Sequence, residues 1–295
     1  MRFRRGATLD TGQVTDARGR PSGLALGGGA GGLGIVGVLI FLAITLLGGN
    51  GGGLGQLGAL DDQSVGQGNT PSEIKQDCRT GEDANTRDDC RIVGVVNSVQ
   101  KFWAGVFQAS NRTYQPVNTV FFTGQIQTGC GYASSAVGPF YCPNDHLVYI
   151  DLGFFKQVSD QLDINVTPFV QAYVIAHEYG HHVQDQLGVL DAIRGDRQGP
   201  ESKAVRSELQ ADCYAGVWAA HAVDTGLIEQ LTQADINSGL DAAAAIGDDR
   251  IQEKTQGQVN PETWTHGSAA QRVKWLTRGY ESKDPAQCDT FSGPI

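Results

Sequence analysis

His177-Glu178-Tyr179-Gly180-His181 sets two imidazoles four residues apart, with a carboxylate beside the first. The spacing has chemical meaning on a helix, where residues i and i+4 stand one above the other and both rings reach one ion. Glu178 then projects about 100° round from His177, close enough to touch a water on that metal. The flanking residues predict the helix. Thr167 suits an N-cap, Pro168 the first helical position, and Gly188 lies where the helix should stop. Phe169, Val170, Tyr173 and Val174 form an apolar stripe that buries it. A core helix carrying two histidines would look the same over five residues, so the pattern needs a third ligand from elsewhere in the chain.

One class of H-E-x-x-H chain continues as H-E-x-x-H-x-x-G-x-x-H above a methionine turn. Here the corresponding positions are Gln184 and Leu187, and the single methionine is Met1, which excludes that class. Another class takes a glutamate from a later helix, with an aspartate one turn on. Ser207-Glu208-Leu209-Gln210-Ala211-Asp212 has that form, and both carboxylates share one helix face. Glu208 is expected to complete a His2Glu set and leave a fourth position to water. Asp212 is expected to accept a hydrogen bond from the far ring nitrogen of a ligand histidine, fixing its tautomer. The plainer reading of E-x-x-x-D is a solvated acidic edge. Against it, Leu209, Cys213, Gly216 and Val217 are small or apolar and mark a packed helix.

With these residues in place, the chain resembles the neutral zinc metallopeptidase family of membrane-anchored bacterial proteins. The matching stretches are 177–184, 208–218 (ELQADCYAGVW), 245–252 (AIGDDRIQ), 265–275 (THGSAAQRVKW) and 287–291 (QCDTF). The resemblance implies Zn2+ as cofactor, a gluzincin-like arrangement and peptide-bond hydrolysis, and it strengthens Glu208 as a ligand. It names no substrate. The expected chemistry has zinc on His177, His181 and Glu208, with Glu178 as the base that takes a proton from water and passes it to the leaving amine. His266, just ahead of the last helix, is the candidate donor to the oxyanion, against the plain reading of a surface histidine. Tyr214 and His221 are weaker candidates for that role, His182 is expected to be structural, and His146 has no assigned role. Gly247-Asp248-Asp249-Arg250 reads as an ion-pair cluster bracing the helices, since two adjacent carboxylates are few for a calcium cage.

Charge and hydropathy bear on partners and placement. The net charge of −10 argues against a nucleic-acid partner held through phosphates. Arg2, Arg4, Arg5, Arg18 and Arg20 make the first residues basic, and 21–60 carries no charge at all. Inside it, 33–47 is nearly pure apolar sequence, which glycine and alanine extend towards the length of a bilayer span. The expected organisation is a basic cytoplasmic N-terminus (1–24), a transmembrane anchor (25–48), a glycine-rich linker (49–72) and an extracytoplasmic zinc metallopeptidase domain (73–295). Such a chain is a single-pass membrane protein, held to the membrane by its N-terminal helix and acting on a peptide or protein substrate. The rival for the apolar run is a cleaved signal peptide, for which no small-x-small site is evident.

The six cysteines include no C-x-x-C pair, so they read as disulfides of an exported domain. Local spacing favours Cys78–Cys90 and Cys130–Cys142, which leaves Cys213–Cys288. Helical periodicity is clear over 91–108, a helix is expected over 201–221, and Ser268 opens a capping box for a last helix. A helix opened by Thr232 and Asp235 is expected to end near Gly247 or run on to Gln256. Short strands are expected at 118–123 and 146–152, with loops at 129–133 and 138–143 between them. The fold class is therefore α+β: a mainly helical gluzincin-like metallopeptidase domain with a small sheet, preceded by one transmembrane helix. Two rival functions stand beside a peptidase: a zinc-bearing binding or scaffold protein without hydrolysis, and a structural domain held by disulfides.

Overall fold

Capping chemistry sets the helix boundaries. The Thr167 hydroxyl accepts from the Val170 amide and Pro168 occupies the first position of the helix Pro168–Gln186. Ser202 caps Lys203–His221 through the Val205 amide, and Ser268 and Gln271 form a full capping box on Ala269–Ser282. The computed structural model describes residues 1–19, 71–193 and 195–295. In chain order the helices are α1 (Pro71–Asp77), α2 (Gly81–Thr86), α3 (Asp88–Ala109), α4 (Gly153–Leu162), α5 (Pro168–Gln186), α6 (Lys203–His221), α7 (Gln233–Ala245), α8 (Asp248–Gln256) and α9 (Ala269–Ser282). The strands are β1 (Arg2–Phe3), β2 (Val14–Asp16), β3 (Asn118–Phe122), β4 (Gln125–Thr128), β5 (Gly131–Ser134), β6 (Phe140–Cys142), β7 (Leu147–Asp151) and β8 (Ile228–Gln230).

The main core lies between α3, α5, α6 and α9, around Trp103, Tyr173, Tyr179 and Trp218. Helices α6 and α9 cross in backbone contact, because a Cβ on Gly216 would lie 2.2 Å from the Leu276 carbonyl oxygen and one on Gly279 1.9 Å from that of Cys213. Between α5 and α6 the same role falls to Gly180, where a Cβ would come 3.0 Å from Ala211 Cα. Against these helices stands a four-stranded sheet of order β2-β3-β7-β6, parallel except for the antiparallel edge strand β6. The three expected disulfides are present: Cys78–Cys90, Cys130–Cys142 and Cys213–Cys288.

Two expectations about placement are corrected. Among the described residues no helix is long and apolar enough to cross a membrane. The description of the fold as a domain behind one transmembrane helix is therefore overturned, and with it the single-pass placement that put a cytoplasmic N-terminus opposite an extracytoplasmic domain. The physical reason is in the pairing. β1 runs antiparallel to β8, and β2 is parallel to β3. Phe3, Leu9 and Val14 are buried in the main core, and the Met1 ammonium pairs with Asp235. A single crossing would put residues 1–19 and 71–295 on opposite sides of a bilayer, whereas they share one sheet. The apolar run at 25–48 itself, and the linker from 49 to 70, lie outside the described residues.

Local differences have simple causes. The segments expected as loops contain β5 and β6, which are too short to show an alternating pattern between glycines and prolines. The alanine-rich helix stops at Ala245 and a separate α8 starts at Asp248. The break is enforced at Gly247, where a Cβ would lie 2.3 Å from the Ala269 amide nitrogen.

Candidate metal centre

Helices α5 and α6 bring His177, His181 and Glu208 together. One ligand atom from each of the three buried side chains lies within 4.8 Å of the others. His177 Nε2 is 3.1 Å from Glu208 Oε2, and His181 Nε2 is 3.4 Å from the same oxygen. The opposite ring nitrogens are tied back. His177 Nδ1 lies 2.9 Å from Asp212 Oδ1, and His181 Nδ1 lies 2.8 Å from Gln184 Oε1. Both rings are thus oriented with Nε2 towards Glu208, and a metal ligand held by an outer hydrogen bond has its tautomer set in this way. His181 Nε2 is buried and makes no hydrogen bond. A buried polar atom without a hydrogen bond is costly, and a cation between the two imidazoles and Glu208 would satisfy it. The set of two nitrogens and one carboxylate oxygen is a zinc donor set with a position left open, so the residues fit the ion.

Asp212 does more than orient an imidazole. Arg272 on α9 donates to it twice, Nε to Oδ2 and Nη2 to Oδ1, each at 2.9 Å. The Tyr173 hydroxyl donates to Oδ1 at 2.6 Å and accepts from Arg272 Nη2 at 3.1 Å. Burial works against a charge on Asp212, but Arg272 and His177 outweigh it and hold the carboxyl down to about 2. Burial likewise opposes an imidazolium at His177, yet Asp212 and Glu208 reverse it and lift the ring to about 10. Glu208 is buried too, and the two imidazoles keep its carboxyl well below the usual range.

Glu178 is buried beside the centre. Its Oε2 accepts from the Tyr141 amide of edge strand β6 at 3.1 Å. Burial lifts its carboxyl above the ordinary value, although the imidazoles pull the other way. His266 is buried on the loop before α9 and lines the same cleft as His177 and Glu178. Its Nδ1 lies 2.9 Å from Thr265 Oγ1. The loop is held by Asp248, whose Oδ2 accepts from the amides of Thr265, His266 and Gly267 at 2.7, 2.7 and 3.1 Å. Asp248 therefore anchors the His266 loop, and Asp249 caps α9 through the Ala269 amide.

The other candidates lie in different roles. His182 bridges the Gln115 carbonyl and the Tyr141 hydroxyl. His146 is exposed and pairs with Asp185. Tyr214 packs edge-on against Trp103 in the core, and His221 bonds Asp224 and the Lys283 carbonyl. The group Cys78, Asp89 and Cys90 also comes close, but its sulfurs form a disulfide and offer no thiolate. Sequence reasoning missed Arg272, Tyr173 as a polar partner, and Gln184, which bonds His181, Ser207 and Gln210 and so locks α5 to α6. An arginine inside the stretch 265–275 was a signal, but beside Gln271 and Lys274 it reads as one more solvated residue of the helix. Helix α4 was missed as well, although Phe154, Phe155 and Val158 give it one apolar face.

The sequence matches the family described as "Putative neutral zinc metallopeptidase" over residues 1–291. The uncharacterized protein Rv2575 of Mycobacterium tuberculosis is 47% identical over 222 residues, 73% of this chain and 74% of that protein. The uncharacterized protein YpfJ of Escherichia coli K12 is 38% identical over 206 residues, 68% of this chain and 70% of that protein. No solved structure matches. The chain belongs to the neutral zinc metallopeptidase family.

Proposed function

We propose that this protein is a zinc-dependent peptidase, with His177, His181 and Glu208 as the metal ligands. The observation that carries the reading is the buried Nε2 of His181, which makes no hydrogen bond and faces Glu208 Oε2 at 3.4 Å beside His177 Nε2, with Glu178 next to His177 on the same helix. A zinc ion held there supplies Lewis-acid polarisation of a carbonyl and lowers the pKa of a water to about 7. Everything else is done by the chain. Glu178, fixed through Oε2 by the Tyr141 amide, takes the proton of the attacking water and returns it to the leaving amine. His266 donates a hydrogen bond to the oxygen on which charge develops, from a loop held rigid by Asp248. Arg272 and Tyr173 keep Asp212 ionised and in place, so that His177 keeps its orientation.

Metal analysis of the purified protein, paired with digestion of an unbiased peptide library, tests the reading. The expected result is about one zinc per chain in the wild type and in Glu178→Gln, with peptides cut by the wild type alone. Stoichiometric zinc with no cleavage would leave a zinc-bearing binding or scaffold protein, and absence of zinc would overturn both.

A further inference from the structure

Next to the three ligands opens a small cleft of about 50 Å3 whose walls are almost wholly apolar. Phe154, Phe155 and Val158 of α4 form one side, Val174 of α5 continues it, and Ile246 and Ile251 close the other. The polar side chains on its lining are Tyr173, His177, Glu178, His266 and Arg272, and the Tyr173 hydroxyl is taken up by Asp212 and Arg272. Its lining is that of a pocket that takes an apolar group and orients it by a few polar contacts.

We infer that this cleft receives the side chain next to the scissile bond, and that the protein cuts peptides beside a large aliphatic or aromatic residue. The inference rests on the peptidase reading and adds the substrate class to it. Continuity decides the occupant: Glu178 and His177 line the cleft, so a chain whose carbonyl lies at Glu178 has a neighbouring side chain within reach of Val174 and Phe155. Charge excludes the alternatives. The guanidinium on the lining, Arg272, is engaged by Asp212, Tyr173 and the Ile246 carbonyl, and with zinc in place His177 is a neutral ligand, so an acidic side chain would be buried without a partner. A basic side chain would meet only Glu178, the carboxylate that the reaction needs free. An apolar side chain loses nothing on entering and is released from water. Substrate discrimination on the order of 10- to 100-fold in kcat/KM for leucine or phenylalanine over alanine is expected from burial of that size.

The test uses the zinc-loaded protein and a mixed peptide library, with cut sites mapped by mass spectrometry. Leucine, isoleucine, phenylalanine and methionine should be enriched at one position flanking the cut, with aspartate and lysine depleted there. Val158→Phe, which fills the cleft, should shift that position to alanine and serine by about tenfold or more while zinc content and melting temperature stay unchanged. As a binding readout, anilinonaphthalene sulfonate fluorescence on the metal-free protein should fall on adding a leucine- or phenylalanine-containing blocked peptide, and not with its aspartate counterpart. Should Val158→Phe prove unstable, Phe155→Ala provides the second variant, with a preference relaxed towards bulkier residues. Cleavage with no apolar enrichment on either side of the bond, or a cut pattern unmoved by these variants, overturns the inference. If the zinc-loaded protein cuts nothing, the peptidase reading fails, and the dye decides the cleft: selective displacement by apolar peptides upholds an apolar-peptide site, and its absence overturns it.

Discussion

The ring of Phe3 lies so close to Gly94 on α3 that a Cβ at position 94 would come within 2.5 Å of Phe3 Cε1. A residue of the N-terminal strand β1 thus packs into the helical core, where it is almost fully buried. Phe3→Ala should lower the unfolding free energy by about 3–5 kcal/mol, read by urea denaturation. A loss below about 1 kcal/mol would mean that the N-terminal strands are dispensable decoration.

The same N-terminal segment is tied down by charge, and this tie has a pH signature. Arg18 holds Asp16 through two hydrogen bonds and reaches Asp89 at 3.5 Å, while Arg87 holds Asp89 through two more. Burial opposes the Asp89 charge, but the two guanidinium groups outweigh it and hold its carboxyl below the ordinary value. A depressed folded pKa contributes stability above the unfolded value of about 3.9 and loses it as pH falls through the folded value. Asp89→Asn should therefore destabilise by about 1.5–3 kcal/mol at neutral pH. The gap to wild type should close as denaturation is repeated towards about pH 2. A gap independent of pH would assign the effect to packing instead.

Asp212 holds His177 Nδ1 at 2.9 Å without being one of the three candidate ligands. Asp212→Asn is expected to weaken zinc binding by about 10- to 100-fold, measured by competition with a chelator of known affinity. An unchanged affinity would show that Arg272 and Tyr173 position nothing of consequence for the metal.

His266 is expected to act on the reaction and not on the metal. His266→Ala should lower kcat by about 100-fold or more while zinc content stays at the wild-type level. Loss of zinc in that variant would move His266 from oxyanion donor to support of the ligand set.

The bridge Cys213–Cys288 joins α6 to the C-terminal segment across 75 residues of sequence. It also places the Cys288 carbonyl where Gln210 Nε2 donates to it at 2.9 Å. Replacing both cysteines by serine should cost about 2–5 kcal/mol in unfolding free energy. Melting temperatures of the oxidised variant and wild type compare the two directly.

Much of the candidate centre was legible because its geometry is local. Four residues on a helix bring His177 under His181, and a further four bring Glu208 under Asp212, whatever the rest of the fold does. Caps at Thr167 and Ser268 are likewise decided by neighbours within three residues. The cysteine pairing followed from short spacings and a remainder. Arg272, by contrast, lies 60 residues from Asp212, and no local pattern tells a buried guanidinium from a solvated one. The N-terminus was misread for a related reason. Five arginines ahead of an apolar run have the composition of a cytoplasmic tail, yet strand pairing of Arg2–Phe3 with Ile228–Gln230 is a long-range event with almost no periodicity to announce it.

By itself the sequence determined the histidine helix and the family and singled out a candidate ligand set, since the His177–His181 and Glu208–Asp212 patterns each depend on residue type and on spacings shorter than two helical turns. Tertiary structure decided what surrounds them. Gly180, Gly216 and Gly279 let α5, α6 and α9 approach closely enough for Arg272 to reach Asp212. Helix α4 then supplies the apolar wall beside Glu178. Such contacts exist only after distant segments pack, when the helix crossings have settled which side chains face one another.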